Sequence, residues 1–209
     1  MNFDQFPPNP RKTDSVRRLG TVDIAELRKA VLDLPESVWQ AENAGKKNRF
    51  ETLGATQHII FRMVDSFADW RKSFEGPLWP DWKPLLDPVL TAATADYGYA
   101  RGAFPRVMLA RMAPAGFIQP HRDTNPAAKW PHKIHVPLVT NPKVAFLVHE
   151  TVHHFVEGEA VEVNNMGAHA VRNGGTTPRI HLIFEYYDLD QPEPHWMDPL
   201  CRELERQAS

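Results

Sequence analysis

Cysteine is almost absent. Cys201 is the one thiol in 209 residues, so the chain cannot close a disulfide on itself. That fits a reducing compartment, and a cytoplasmic location is the expectation. Long apolar runs are missing too: no stretch approaches the ~20 residues that cross a bilayer, so no membrane partner is expected. Met1 to Lys12 holds Phe3, Phe6 and several prolines but no continuous apolar core, unlike a secretory signal. Positive charge is not in excess. With 24 Lys and Arg against 26 Asp and Glu, the net charge of −2 gives no footprint for nucleic acid. Repeats, low-complexity tracts and clear linkers are lacking as well.

What is present describes one ordinary folded domain. Hydrophobic residues make up 42% and charged residues 24%, and the length is enough to bury a sizeable core. The expected organisation is an irregular arm over 1–16, a single domain over 17–190 and a tail over 191–209. Within the domain, 17–105 reads as helical support and 106–190 as a β core.

Thr21-Val22 reads as a short strand, followed by an N-cap signal at Asp23-x-x-Glu26. Ile24, Leu27, Val31 and Leu34 keep helical spacing until Pro35. Asn43 to Asn48 reads as a loop, His58 to Val64 as a strand, and Ser66 to Phe74 as a short helix. Gly76 to Asp87 reads as an irregular connection, with a helix starting at Asp87-Pro88 and ending at Gly98. Beyond Arg106 the pattern changes to strands: Val107–Met112, Phe117–Asp123, Lys133–Val139, Val144–Val148, Val152–Val156, Ala160–Val163, His169–Arg172 and Arg179–Tyr187. Asn125 to Pro131 reads as a loop, and Leu200 to Gln207 as a terminal helix. Many short strands separated by turns argue a sandwich or jelly roll.

The chemistry concentrates at Pro120-His121-Arg122-Asp123. On an extended segment, residues two apart share a face, so His121 and Asp123 can converge on one cation. His169 would complete two histidines and a carboxylate, the set that suits ferrous iron and leaves positions open. Arg179 lies ten residues further on (179 − 169 = 10) and opens an apolar strand. Its guanidinium can grip a carboxylate with two parallel hydrogen bonds. His-x-Asp alone is weak in a chain with ten histidines.

Context strengthens it. Pro114-Ala115-Gly116-Phe117-Ile118-Gln119-Pro120-His121, Lys133-Ile134-His135-Val136-Pro137-Leu138, and Glu157 through His169 to Arg179-Ile180-His181-Leu182-Ile183-Phe184 follow one another in order. Together they resemble the aspartyl/asparaginyl β-hydroxylases, over roughly Arg106 to Asp188.

The resemblance implies a mainly β fold, a double-stranded β-helix (cupin-like jelly roll) with N-terminal supporting helices. It implies an Fe(II)- and 2-oxoglutarate-dependent dioxygenase that consumes O2 and hydroxylates an amino-acid side chain, free or within a peptide or protein. The metal set would be His121, Asp123 and His169. Arg179 would hold the far carboxylate of 2-oxoglutarate, with His135 and Lys133 beside the cosubstrate. Lys133 stands where an arginine is common, and Ala110 where animal members carry a hydroxyl. Asp123 also sets the chain apart, because those animal members lack the carboxylate ligand and bacterial members keep it. Arg122, Asn125 and Trp130 follow the metal carboxylate closely and are candidate substrate contacts.

Two other classes compete. His149-Glu150-Thr151-Val152-His153 is a literal His-Glu-x-x-His, which on a helix would hold zinc for a hydrolase. Its β-branched centre reads as a hairpin instead. A non-catalytic jelly-roll binding module would show loss of a ligand or of the anion clamp, and neither is lost. Trp39, Trp70 and Trp196 read as packing residues. Oligomeric state is left open.

Overall fold

The structure is a computed structural model and describes residues 6–45 and 56–208. The strands are β1 (Val16–Thr21), β2 (Thr56–Ser66), β3 (Asp69–Glu75), β4 (Gly102–Met112), β5 (Phe117–His121), β6 (His132–Val139), β7 (Val144–Val148), β8 (Thr151–His153), β9 (Glu159–Val163), β10 (His169–Asn173) and β11 (Arg179–Asp188). The helices are α1 (Ala25–Leu32), α2 (Glu36–Gly45), α3 (Trp79–Thr94), α4 (Pro126–Lys129) and α5 (Met197–Ala208). A seven-stranded sheet runs β1-β9-β6-β11-β4-β2-β3, and a four-stranded sheet runs β5-β10-β7-β8. Every pairing is antiparallel. This is a cupin-like jelly roll with helices on the outside.

The alternation of β11 sets the layers. Ile180, Leu182, Phe184 and Tyr186 point into a core shared with Leu27 and Val31 of α1, Trp39 of α2 and Leu86, Val89 and Leu90 of α3. The helices therefore cover one face of the large sheet. Truncating one of these fully buried side chains, such as Leu86→Ala, should cost about 2–5 kcal/mol. The opposite face of β11 carries Arg179, His181, Ile183 and Glu185. That face looks toward the small sheet across Met112, Ile118, Phe146, Val161 and Val171. The site lies between the two sheets.

Several expectations on the N-terminal side are corrected. The first strand is Val16–Thr21, paired with β9, rather than Thr21-Val22. Helix α1 forms where expected, and Asp23 Oδ1 accepts a hydrogen bond from the Ala25 backbone N–H at 2.9 Å. Pro35 does stop that run, and the loop expected from Asn43 is what changes. Pro35 precedes α2, and Asn43 to Gly45 are helical; 46–48 lie outside the described residues.

Ser66 to Phe74 is not a helix but the turn and second strand of the β2–β3 hairpin. Asp69 tightens that turn by accepting from the Arg71 backbone N–H at 2.9 Å and from its Nε at 2.7 Å. The i, i+3 spacing of Phe67 and Trp70 mimicked a helical stripe by chance. Gly76 to Asp87 is not irregular, because α3 begins at Trp79 and contains Pro84 and Pro88. Pro80, Pro84 and Pro88 are all exposed and fall four apart on one face. The backbone carbonyls left without donors therefore sit on the wet side, where water can serve them.

Asn125 to Pro131 contains a single helical turn, α4. Asn125 accepts from the Ala128 N–H at 3.0 Å and Pro126 sits in the first turn. The terminal helix starts at Met197, three residues before the expected start (200 − 197 = 3). The arm is packed where it is described. Asn9 donates to the Trp130 carbonyl at 3.0 Å, and the Phe6 and Trp196 rings lie 5.2 Å apart. Among the described residues, no helix is long and apolar enough to cross a membrane.

Candidate metal centre and its cavity

β5 and β10 pair with His169 opposite His121, which brings the two imidazoles together with ring centroids 4.2 Å apart. Asp123 follows β5, tied down by its backbone N–H donating to the Asn165 carbonyl at 2.9 Å. One donor atom each from His121, Asp123 and His169 lies within 4.8 Å of the others, so the set could hold a metal ion.

The surroundings orient all three groups. His121 Nδ1 donates to the Gln119 carbonyl at 2.8 Å, and His169 Nδ1 to the Gly167 carbonyl at 3.0 Å. A carbonyl only accepts, so Nδ1 carries the proton in both rings and each Nε2 keeps a lone pair for a metal. Asp123 Oδ2 accepts from Lys133 Nζ at 2.5 Å and from Asn165 Nδ2 at 3.3 Å, while Oδ1 lies 3.9 Å from His121 Nε2. Burial would raise the Asp123 pKa, but the Lys133 ammonium and the neighbouring histidines hold it well below the usual carboxylate range. Burial pushes His169 down to about 4. At neutral pH the set is thus one carboxylate and a neutral His169 imidazole, the donor chemistry of a non-haem ferrous site.

The triad opens into a cavity of about 180 Å3. At one end is Arg179, 1% exposed. Its Nη2 donates to His181 Nδ1 at 2.7 Å, and its Nε has no partner among the described residues. Burial pushes Arg179 down to about 9, still cationic at neutral pH, and among the described residues no carboxylate opposes it. His135 also lines the cavity with its Nδ1 unpartnered. Burial, followed by the Arg179 charge, keeps both His135 and His181 well below the ordinary histidine pKa. A desolvated cation beside neutral imidazoles is a receptor for a carboxylate.

The remaining sequence candidates separate. Lys133 lines the cavity, yet its ammonium is engaged by Asp123. Asn125 lines it too. Trp130 does not: it is 6% exposed and stacks on Trp70 with centroids 5.6 Å apart, inside the cluster that holds Trp196. Arg122 is exposed and, between His121 and Asp123, faces away from them. His149 and His153 sit on the β7–β8 hairpin, and His149 is in the left-handed region at φ 53. No helix carries the His-Glu-x-x-His motif, so its zinc geometry does not form.

Five further polar residues at or near the cavity carry no motif in the sequence: Arg106, Glu185, Lys12, His58 and Thr56. Arg106 lines the cavity and donates to Glu185 at 2.6 Å. Lys12 donates to Asn165 at 2.7 Å, joining the arm to the metal carboxylate's support. One signal was available: Glu185 is a charge inside the run Ile180-His181-Leu182-Ile183-Phe184-Glu185-Tyr186-Tyr187, on the same alternating face as Arg179. Ala110 lacks a hydroxyl, but it pairs with His58 of β2, and His58 and Thr56 both line the cavity.

The family described as Aspartyl/Asparaginyl beta-hydroxylase matches residues 88–188, from the later part of α3 to the end of β11. Three solved structures share the fold at low identity. A 2OG-Fe(II) oxygenase family oxidoreductase from Burkholderia pseudomallei aligns over 87% of this chain and 95% of its own, with 15% identity and a TM-score of 0.51. AviO1 from Streptomyces viridochromogenes Tue57 aligns over 92% and 96%, with 14% identity and a TM-score of 0.52. The non-heme alpha-ketoglutarate-dependent epimerase SnoN of nogalamycin biosynthesis aligns over 84% and 78%, with 12% identity and a TM-score of 0.54. Among curated proteins, none matches the chain.

The matched family, the jelly roll and the His-Asp-His group together define the class: an Fe(II)- and 2-oxoglutarate-dependent oxygenase, with O2 as the second cosubstrate. Within that class the chain is similar to the aspartyl/asparaginyl β-hydroxylases that its motifs resemble, in a form with a metal carboxylate at Asp123.

Proposed function

We propose that the protein hydroxylates an amino-acid side chain, free or within a peptide or protein, with His121, Asp123 and His169 holding Fe(II) and Arg179 holding the far carboxylate of 2-oxoglutarate. The observation that carries this reading is a converged His-Asp-His set opening into a cavity that also holds a buried arginine with no acidic partner among the described residues. When bound, Fe(II) with 2-oxoglutarate and O2 supplies the oxidising chemistry that turns a C–H into a C–OH, with release of succinate and CO2.

The chain's own residues bind, orient and exclude water. His181 fixes the guanidinium of Arg179 by accepting from Nη2, which leaves Nε for the cosubstrate. His135, held neutral, offers a polar contact beside it. Lys133 and Asn165 occupy Asp123 Oδ2 and so aim Oδ1 toward the metal position. Lys133 therefore serves the metal carboxylate more directly than the cosubstrate. Ile118, Phe146 and Val171 keep the chamber dry, which strengthens each charged contact inside it.

The test is anaerobic titration of Fe(II) and then 2-oxoglutarate, following the absorption band of the chelate. Amino acids and peptides are then screened for stimulated succinate release. Absence of the chelate band would overturn the reading.

A further inference from the structure

The arm before β1 has no regular structure, yet it is pinned on both sides of Lys12. On one side, Lys129 Nζ donates to the Phe6 carbonyl at 2.8 Å, the Asn9 N–H to the Lys129 carbonyl at 3.2 Å and Asn9 Nδ2 to the Trp130 carbonyl at 3.0 Å. On the other, the Asn164 N–H donates to the Ser15 carbonyl at 2.7 Å and Asn164 Nδ2 to the Asp14 carbonyl at 2.9 Å. The arm thus ties α4 and its exit to the turn after β9. An irregular segment stays ordered only when its backbone is held in this way.

Asn165 joins the same two segments, and Lys12 reaches it. Lys12 Nζ donates to Asn165 Oδ1 at 2.7 Å. Asn165 is fully buried. Its Nδ2 donates to the Ala128 carbonyl at 3.1 Å and to Asp123 Oδ2 at 3.3 Å, and its backbone carbonyl accepts from the Asp123 N–H at 2.9 Å. A carboxamide fits its slot either way round, so its partners decide the orientation. An ammonium only donates and a carbonyl only accepts. Oδ1 must therefore face Lys12, and the NH2 group must face Ala128 and Asp123. Turned over, the amide would set its oxygen against the Asp123 carboxylate and its NH2 against the ammonium, and all three side-chain bonds would be lost. The bond to Asp123 is the longest of the three and the first to go if the amide is not held. Desolvation pushes the Lys12 ammonium down to about 8, against the pull of Glu185 and Glu162, so at neutral pH it stays mostly protonated and keeps donating.

We propose that Lys12 is a positioning residue for the metal carboxylate: carried in by the arm, it locks the Asn165 amide, and the locked amide holds Asp123 Oδ2 so that Oδ1 is left for the metal. Lys12 acts through Asn165 and not on a metal donor. This inference rests on the His-Asp-His metal site proposed above and adds the arm to it. A lysine that served only to balance Glu162 and Glu185 would act by charge alone, and its effect would not depend on Asn165.

The experiment uses the full chain with Co(II) alone as the probe. Affinity is measured by competition with a chromophoric chelator, and the ligand arrangement by the d–d absorption band. Lys12→Met has two effects. It removes a positive charge near a bound cation, which favours binding. It also releases the amide, which disfavours it. Only the second effect requires Asn165, so a double-mutant cycle separates them. Lys12→Met should act on Co(II) affinity about tenfold more adversely with Asn165 present than in Asn165→Ala, the lower end of what an outer partner of a metal ligand contributes.

Lys12→Met should also change the d–d band, while Lys12→Arg, which keeps a cationic donor, should restore the wild-type band. Arg11→Ala removes the neighbouring arm side chain, which pairs with Asp188 at 3.4 Å, and should leave affinity and band at wild-type values. An equal effect of Lys12→Met in both backgrounds would overturn the inference. If Asn165→Ala does not fold, the band decides: a wild-type band in Lys12→Met, or the same altered band in Arg11→Ala, overturns it. A wild-type protein that binds no Co(II) would instead overturn the metal site it rests on.

Discussion

Two buried polar regions lie close together on β6, β9 and β11, and they differ in whether they are closed. In the first, Glu162 Oε1 accepts from His132 Nδ1 at 2.7 Å and from the Thr13 N–H at 3.3 Å, and Oε2 accepts from the Tyr97 hydroxyl at 2.8 Å. His132 Nε2 in turn meets the Tyr99 hydroxyl at 2.6 Å. Each of these side chains has its partner inside the protein. In the second region, Arg179 Nε, His135 Nδ1, His181 Nε2, Arg106 Nε and Nη2, and Glu185 Oε2 have none among the described residues. A closed network specifies a fold; an open one lining a cavity specifies a ligand. The difference can be tested group by group.

The largest effect belongs to the open region's metal donors. His121→Ala or His169→Ala should abolish iron binding and turnover, measured as bound Fe(II) after desalting and as succinate formed. Retention of full activity by either variant would dissolve the triad. Next comes Arg179→Ala, which removes a charged, desolvated contact worth on the order of 2–5 kcal/mol. That corresponds to a loss of roughly thirty-fold to several-thousand-fold in 2-oxoglutarate affinity. Iron should still bind, and Arg179→Lys should fall between, having charge without the planar fork. An unchanged 2-oxoglutarate dissociation constant would move the clamp elsewhere on that wall.

The contrast between open and closed regions also explains what could be read in advance. His121, Asp123, His169 and Arg179 were legible because two-residue alternation and an ordered set of motifs mark them in one dimension. Glu162 and Arg106 were not, because their meaning depends on partners 30 and 79 positions away (Glu162 to His132, Arg106 to Glu185). The β core was legible because its strands alternate and its turns carry Asn, Gly and Pro. The N-terminal half was misread where a local signal had a tertiary answer. Three prolines in α3 look like breakers until the wet face of that helix is known. Phe67 and Trp70 look helical until Trp70 is found stacked on Trp130. The same stacking removes Trp130 from the candidate substrate contacts.

A smaller effect, of a different kind, is expected from the closed region. Glu162→Gln should cost about 1–3 kcal/mol of stability at neutral pH, since it weakens a satisfied buried cluster. It should leave 2-oxoglutarate affinity unchanged. The pH dependence has a definite sign. Burial would raise the Glu162 pKa, but the hydrogen bond and charge of His132 together with the Tyr97 hydroxyl lower it below the ordinary glutamate value of 4.5. A carboxyl with a lowered folded pKa contributes stability above its unfolded value and loses it as pH falls through the folded value. The stability gap between wild type and Glu162→Gln should therefore be full above about pH 4.5 and shrink below it. Urea midpoints across that range measure it. A gap that widens in acid would contradict the assignment of Glu162 as the ionised hub.

The smallest expected effect guards the comparison against overuse. His153 Nε2 is also buried and without a partner among the described residues. It belongs to the His-Glu-x-x-His match, so the orphan criterion taken alone would mark it as a ligand. Its position argues otherwise. His153 lies on the three-residue edge strand β8 opposite Phe146, its ring stacks near Phe155 at 6.1 Å, and it does not line the cavity. Burial and then Arg18 lower its pKa, so at neutral pH it is an uncharged ring at a sheet edge with no second metal donor beside it. An unpartnered atom predicts a ligand only where it faces a chamber with room for one. His153→Ala should therefore leave bound iron, 2-oxoglutarate affinity and turnover at wild-type values, with a stability change within about 0.5 kcal/mol. Loss of metal from His153→Ala, with His169→Ala retaining it, would invert the assignment and restore the zinc reading.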